Sequence, residues 1–323
     1  MKGRAPGVAG RLGPGPEFDR LRTIFARLGR AGRGLGDDAA LVRVGGTTLA
    51  ASVDLSLEGV HFRTRWLSFG EIGRRAAGAA LSDLAASGAR PLAVLASVGL
   101  PARPRRTRLD PGAEIMAGVG RAARAAGAAV VGGDLVRSRR YLVDVCVLGI
   151  ATRPVGRRGA RPGDGLWITG VLGGSGRALR VLRAGGRPRG ALWRRFAEPE
   201  PRLTEGRWLA SHGVHAMIDI SDGLAADAAH VAAASGVALE IDLGLLPCWP
   251  GVPPRAAAAS GEEYELLAAL PARFGTREAG AFLRATGVPL TRIGRCVVGA
   301  GVRLTHRGRL VSAPRGFDHF AVR

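Results

Sequence analysis

Residues 80–101 read ALSDLAASGARPLAVLASVGLP, and this stretch decides how the N-terminal half is built. It opens inside residues 69–87, a small-residue run that predicts a buried helix stopped by Gly88 and Pro91. Residues 92–100 then predict a buried strand. Asp83 breaks the helix pattern, standing among Ala, Leu, Ser and Gly. An unpaired carboxylate is costly to bury, so a buried Asp83 calls for a metal ion or an arginine.

Working outward, residues 17–28 carry Phe18, Leu21, Ile24, Phe25 and Leu28 at helical spacing. Residues 39–44 and 47–54 read as strands around a Gly45-Gly46 turn. A helix over 111–126, a short strand over 128–131 running into Gly132-Gly133-Asp134, and a long β-branched strand over 141–151 follow. Residues 152–163 (TRPVGRRGARPG) have turn formers and charge but no apolar period, which places a domain boundary there. The second half predicts strand 166–169, a glycine loop, helices 177–183 and 203–211, strand 215–218, helix 224–234 and strand 238–243. After a proline-rich crossing, the tail alternates strands with one helix over 278–286. The expected architecture is therefore α/β, with helices and strands mixed irregularly in two domains, 17–152 and 153–323. The Gly/Pro/Arg-rich residues 1–16 form a flexible arm in this reading.

Composition narrows the function classes. Of 323 residues, 46% are hydrophobic and 23% charged, ordinary globular values that exclude wholesale disorder. No apolar run reaches the ~18 residues a spanning helix needs. The first residues lack the apolar core of a signal peptide, so a cytoplasmic protein is expected. Cys146, Cys248 and Cys296 are odd in number and far apart, which suits neither a disulfide framework nor a zinc site. The net charge of +21 invites a nucleic-acid reading, but Lys2 is the only lysine and the arginines are scattered from Arg4 to Arg323. With aromatics at 5%, specific nucleic-acid binding is not expected.

Several motifs fail on context. Gly34-x-Gly36-x-x-Ala39 follows a helix and opens a strand, the reverse of a dinucleotide fingerprint. Asp219-x-Ser221-x-x-Leu224 lacks the sixth-position glycine of a calcium loop. Without a suitable lysine there is no Walker A motif and no Schiff-base chemistry. Phosphate chemistry here must rest on metal ions, arginine and backbone N–H groups.

The acidic residues carry the signal, because only 26 exist and several cluster in small-residue motifs. These are Gly36-Asp37-Asp38-Ala39, Ser52-Val53-Asp54, Gly132-Gly133-Asp134 and Asp219-Ile220-Ser221-Asp222-Gly223, with Asp83 a further member. Magnesium takes carboxylate oxygens and substrate phosphates, and small neighbours let polyphosphate approach the backbone. Taken singly, Asp-Gly and Gly-Gly-Asp are also common turns, and Ser221 is a natural helix cap. The loop over residues 169–176 joins a strand to a helix and offers N–H groups to an anion; it reads equally as a flexible connection. Ser260-Gly261-Glu262-Glu263-Tyr264-Glu265 and Gly316-Phe317-Asp318-His319-Phe320 complete the set.

Together, GDDAALV, SVDLSLEGVHF, ALSDLAASGARPLAVLASVGLP, VVGGD, RRGARPGD, MIDISDGLAAD, SGEEYEL and GFDHF resemble the thiamine-monophosphate kinase family, in order and nearly end to end. That family belongs to the aminoimidazole ribonucleotide synthetase-like superfamily. The resemblance implies a two-domain fold of that type, with N-terminal strands of two subunits closing a barrel in a homodimer. It implies ATP and several Mg²⁺ ions, with thiamine monophosphate as acceptor and no membrane or specific nucleic-acid partner. It makes Asp38, Asp54, Asp83, Asp134, Asp219 and Asp222 metal ligands, with Asp37, Ser52 and Val53 beside them. Gly133, Asp134, Arg157 and Ser221 fall where the family contacts ATP, and His61, Glu262 and Phe317 where it contacts thiamine phosphate. No general base is assigned. Departures from the family pattern, at Val53, Ala80, Gly174 and Ser260, mark a divergent member. The alternatives are another ATP-using enzyme of the superfamily, resembling aminoimidazole ribonucleotide synthetase, or a catalytically weak paralogue associated with ATP or nucleic acid. Cysteine placement disfavours selenophosphate synthetases and the hydrogenase-maturation dehydratase, since no cysteine precedes Cys146 and the chain ends Phe320-Ala321-Val322-Arg323.

Overall fold

The computed structural model describes residues 12–32, 34–103 and 109–321. Residues 1–11 of the expected arm lie outside the described residues. The chain folds as two mixed sheets, each flanked by helices.

The first sheet has five strands in the order β1-β2-β5-β3-β4, formed by β1 (Ala40–Val44), β2 (Thr47–Leu57), β3 (Arg90–Pro101), β4 (Ala129–Ser138) and β5 (Leu142–Ile150). Only β3 and β4 run parallel; the other pairs are antiparallel. Helix α1 (Pro16–Leu28) precedes the sheet, and α2 (Phe69–Ala86) and α3 (Pro111–Ala125) pack against it. Strand β5 shows the consequence of one covered face, alternating half-buried and buried residues, with Val143, Val145 and Val147 fully enclosed. The opposite face is open: Val42 is 50% exposed, Val44 58%, Val53 63% and Leu55 47%.

Helix α2 positions the site. It starts at a capping box, in which the Ser68 side chain accepts from the Glu71 backbone N–H while Glu71 accepts from that of Ser68. Its small residues allow backbone-to-backbone approach: a Cβ at Gly73 would collide with the Ile115 carbonyl, and one at Gly118 with that of Gly70. On another side it meets α6 (Leu203–Ser211), where a Cβ at Gly206 would strike the Ala85 carbonyl. Helix α2 is thus buried between the two halves, and one apolar cluster runs from Val145 through Leu84 to Phe196 and Met217.

The second sheet has seven strands, β12-β11-β8-β10-β6-β9-β7. They are β6 (Gly165–Thr169), β7 (Ala216–Asp219), β8 (Ala238–Asp242), β9 (Leu266–Leu270), β10 (Leu290–Val297), β11 (Gly301–His306) and β12 (Arg309–Val311). Its helices are α4 (Gly174–Arg183), α5 (Gly190–Ala197), α6, α7 (Leu224–Ser235), α8 (Pro254–Ala258) and α9 (Thr276–Thr286). Three expectations need correction. Strand β4 does not stop before the glycines but runs through Gly133 and Asp134 to Ser138, because paired β3 supports extended backbone there. Helices α5 and α8 fall where no helix was expected, since arginines and prolines hid their short apolar sides. Ser221 does not cap α7; Gly223 stands at that position, and the Asp227 carboxylate accepts from Asp222 and Gly223 N–H instead.

Candidate functional site

Between the sheets opens a cavity of about 1040 Å³, reached by residues from both halves and from the chain's C-terminal segment. Asp83 points from α2 toward Asp38, in the loop before β1, and Asp219, at the end of β7. Each offers a carboxylate oxygen within 4.8 Å of the others. Ser52 on β2 donates its hydroxyl to Asp83 Oδ2. Burial, and then the charges of Asp219 and Asp38, raise the Asp83 carboxyl well above its ordinary range. Asp219 is raised for the same reasons, burial first and Asp38 second.

Arg157 partly answers this charge. Its Nε and Nη2 lie 3.1 and 2.6 Å from Asp38 Oδ1, and its backbone N–H donates to Asp37 Oδ1 at 2.9 Å. Asp37 is therefore turned toward the segment joining the halves, packed where a Cβ at Gly156 would collide with it. Its carboxyl is pushed up to about 6, by burial first and by Asp38 second. Among the described residues, Asp38 Oδ2 is left buried with no hydrogen-bond partner. A buried acceptor without a donor, facing two more carboxylates, is the donor set of a hard cation, so these residues fit Mg²⁺.

Asp54 faces the same side of β2 as Ser52, and its carboxyl is pushed up to about 6 by burial, then by Glu262 and Asp144. Val53 alternates to the other side, so a hydroxyl there would not reach Asp83. Ser221 and Asp222 line the cavity after β7. The Asp222 carboxyl is pushed up to about 7, by burial and then by Glu17. Gly133 and Asp134 are not brought to this cluster. The ladder sets Asp54, Val145, Ala96 and Gly133 in one row, so Asp134 stands beside Ser97 and Asp144 on the other face of the sheet.

The far side of the cavity is aromatic and mixed in charge. His61 Nδ1 accepts from the Leu57 N–H at 3.0 Å, which fixes a tautomer with its proton on Nε2. Burial, then His319, lower its pKa. The His61 and His319 rings lie 5.1 Å apart, and Phe317 meets His319 edge-on at 4.7 Å. Glu262 ion-pairs with Arg75 of α2 at 2.5 Å. The Phe317 N–H donates to the Asp222 carbonyl, tying the C-terminal segment to the loop after β7.

The glycine loop is not an open anion site. Its Gly173 and Ser175 N–H groups donate to Glu263 Oε1 at 2.9 and 3.1 Å, so a buried carboxylate of the chain already occupies the start of α4. Arg195 pairs with Glu263 and Glu265, and Arg202 with Glu265, completing a buried network. Sequence reasoning missed Arg75, Arg195, Arg202 and Asp227. Their signal was available only as unpaired charge near apolar runs, which 47 basic residues obscure.

Residues 36–151 match the family described as AIR synthase related protein, N-terminal domain, and residues 161–307 match its C-terminal domain. A thiamine-monophosphate kinase from Rhodopirellula baltica is 33% identical, covering 93% of this chain and 95% of its own length. The chain belongs to the thiamine-monophosphate kinase family. A relative of the same name from Caulobacter vibrioides is also 33% identical, over 94% of this chain and 90% of its own. Among solved structures, AaThiL complexed with AMPPCP and TMP superposes with a TM-score of 0.82 at 31% identity, covering 94% of this chain and 97% of that one. A thiamine-monophosphate kinase from Stenotrophomonas maltophilia gives 0.74 at 31% identity, over 93% and 98%. The fold is thus the two-domain one of this family, and the chain is an enzyme of it.

Proposed function

We propose that the protein transfers the γ-phosphoryl group of ATP to the phosphate of thiamine monophosphate. An acceptor phosphate oxygen forms the new bond to phosphorus, the bond to the β,γ-bridging oxygen breaks, and thiamine diphosphate and ADP leave. The observation that carries this reading is the cluster of Asp38, Asp83 and Asp219, of which Asp83 and Asp219 line the large cavity, with Asp38 Oδ2 buried and unpartnered among the described residues.

Both reactants are anions, so their mutual repulsion is the main obstacle. Mg²⁺ held by Asp38, Asp83 and Asp219, with Asp54 and Asp222 adjoining, would neutralise phosphate charge during transfer. The acceptor phosphate is already an ionised nucleophile near neutral pH, so no side chain need remove a proton. Arg157 keeps Asp38 oriented through its paired Nε and Nη2 contacts, and Ser221, which lines the cavity, adjoins the ATP phosphates. His61, Glu262 and Phe317 contact thiamine monophosphate. Phe317 lines the cavity and is 38% exposed, which leaves its ring open to stacking. The Phe317–Asp222 bond tethers the C-terminal segment to the loop after β7.

The active assembly in this reading is a homodimer. The face bearing Val42, Val44, Val53 and Leu55 presents four large apolar side chains to solvent, which a second subunit would cover. Asp134 lies on that face, so Gly133 and Asp134 would meet ATP and metal only when a second subunit packs there. Mixing an Asp83→Asn protein with an Asp134→Asn protein tests this, since one site of each mixed dimer would be intact. Recovered turnover supports shared sites, and none in verified mixed dimers contradicts them. The reaction itself is tested by following ADP release with ATP and thiamine monophosphate, with and without chelator. Full turnover in excess chelator would remove the metal reading.

A further inference from the structure

Arg75 has no part in the reaction as written, yet it is among the most deeply buried charges in the molecule, 4% exposed. Three contacts hold its guanidinium where α2 meets the second half. Nη1 donates to the Phe196 carbonyl of α5, the Phe196 ring lies 4.3 Å from Cζ, and Nη2 is 2.5 Å from Glu262 Oε2. Among the described residues Nη2 has no hydrogen-bond partner, and the ion pair is its compensation for burial.

Glu262 needs such a restraint. Its backbone sits at φ 56, a left-handed conformation unusual for a residue with a side chain, and Tyr264 follows at φ 52. The Glu262 N–H donates to the Ser221 carbonyl at 2.6 Å, and those of Glu263 and Tyr264 donate to Ile220. The loop backbone is therefore hooked to the end of β7, and Arg75 fixes where the side chain goes. Beside the pair is a small polar cavity of about 20 Å³, lined by Asp54, His61, Arg75, Glu262 and Tyr264 and sharing several of these residues with the main cavity. Asp54 and Glu262 repel one another there, and His319 and Arg75 partly offset that repulsion, Arg75 being the one paired with Glu262.

We propose that Arg75 is a positioning residue for thiamine monophosphate: through its ion pair it aims the Glu262 carboxylate at the cationic, ring-bearing end of the substrate. This rests on the reading of Glu262 as a substrate contact. The reactive phosphates lie toward the aspartates, so loss of Arg75 should weaken acceptor binding and spare ATP.

The test is a cycle of four proteins: the parent chain, Arg75→Met, Glu262→Gln and the double variant, with KM measured separately for each substrate. Arg75→Met should raise KM for thiamine monophosphate about tenfold or more, with KM for ATP changed less than about threefold. The double variant should be no worse than Glu262→Gln alone within about threefold, because Arg75 acts through Glu262. Arg75→Lys, which keeps the charge, should restore most of the loss. Multiplying effects in the double variant, or equal rises in both KM values, would overturn the proposal and leave Arg75 a packing residue. An unchanged KM for thiamine monophosphate in Glu262→Gln would instead overturn the reading of Glu262. Should the methionine variant not fold, Arg75→Gln carries the same cycle. A rise in KM for ATP as large as that for the acceptor then counts against the proposal.

Discussion

Asp83→Asn should abolish turnover and at the same time stabilise the metal-free protein. The side chains are nearly the same shape, and the Ser52 hydroxyl that donates to Asp83 Oδ2 finds an amide oxygen in its place. What changes is charge. Oxygens of Asp38, Asp83 and Asp219 approach within 4.8 Å of one another, where two unit charges at an effective dielectric of ~20 repel by about 3 kcal/mol. Proton uptake by the raised carboxyls already relieves part of this, and Arg157 offsets part of the charge on Asp38. A net gain of about 2 kcal/mol at pH 8 remains, equivalent to a rise of about 3 °C in Tm. Scanning calorimetry in chelator, then across a Mg²⁺ titration, measures it. The parent chain should gain more from Mg²⁺ than the variant, and kcat for the variant should fall at least about a thousandfold. A variant that melts lower than the parent in chelator, or gains equally from Mg²⁺, would refute the repulsion argument.

Other outcomes follow from separate parts of the molecule. His230 Nδ1 accepts from the Gly13 N–H, the ring packs on Phe18, and burial, then Arg157, hold its pKa at about 3 against an ordinary 6.5. The unfolded chain therefore binds the extra proton between those values, so stability present above pH 6.5 is lost as pH falls toward 3. By pH 4.5 the loss should reach about 3 kcal/mol, and a His230→Asn variant compared by urea titration at pH 7.5 and 4.5 should lack it. Equal pH dependence in both proteins would refute the assignment. Replacing Val42 and Val44 together by glutamate should yield monomers by light scattering and sharply reduced turnover; active monomers would contradict the shared site. Binding to RNA or DNA should be weak, blind to sequence and lost with added salt, which filter retention across a salt series checks; nanomolar selective retention would contradict it.

The central helix and its strand were readable because local rules and burial agree there. Small residues, a Gly88 stop and a near-continuous apolar run specify α2 and β3, and Asp83 stood out as the exception. The pairing of carboxylates across the fold was not readable from spacing, since Asp38, Asp83 and Asp219 meet only when α2 is sandwiched between the sheets. The glycine loop misled in the opposite sense: its N–H groups do gather at a helix start, but Glu263, about ninety positions later in the chain, fills them. Strand β4 ran longer than its glycines suggested because pairing with β3 outweighs local propensity. Arg75 was invisible in a chain so rich in arginine, where only burial separates one functional guanidinium from its solvated neighbours.

The most direct measurement incubates the purified protein with Mg-ATP and, separately, thiamine monophosphate, free thiamine and formylglycinamidine ribonucleotide, and identifies products by phosphorus NMR. With thiamine monophosphate, signals of a diphosphate ester and ADP should appear together. Free thiamine should give nothing, because its alcohol needs a base that the cavity does not assign. Turnover with the ribonucleotide alone, or ATP bound with no acceptor consumed, would contradict the account.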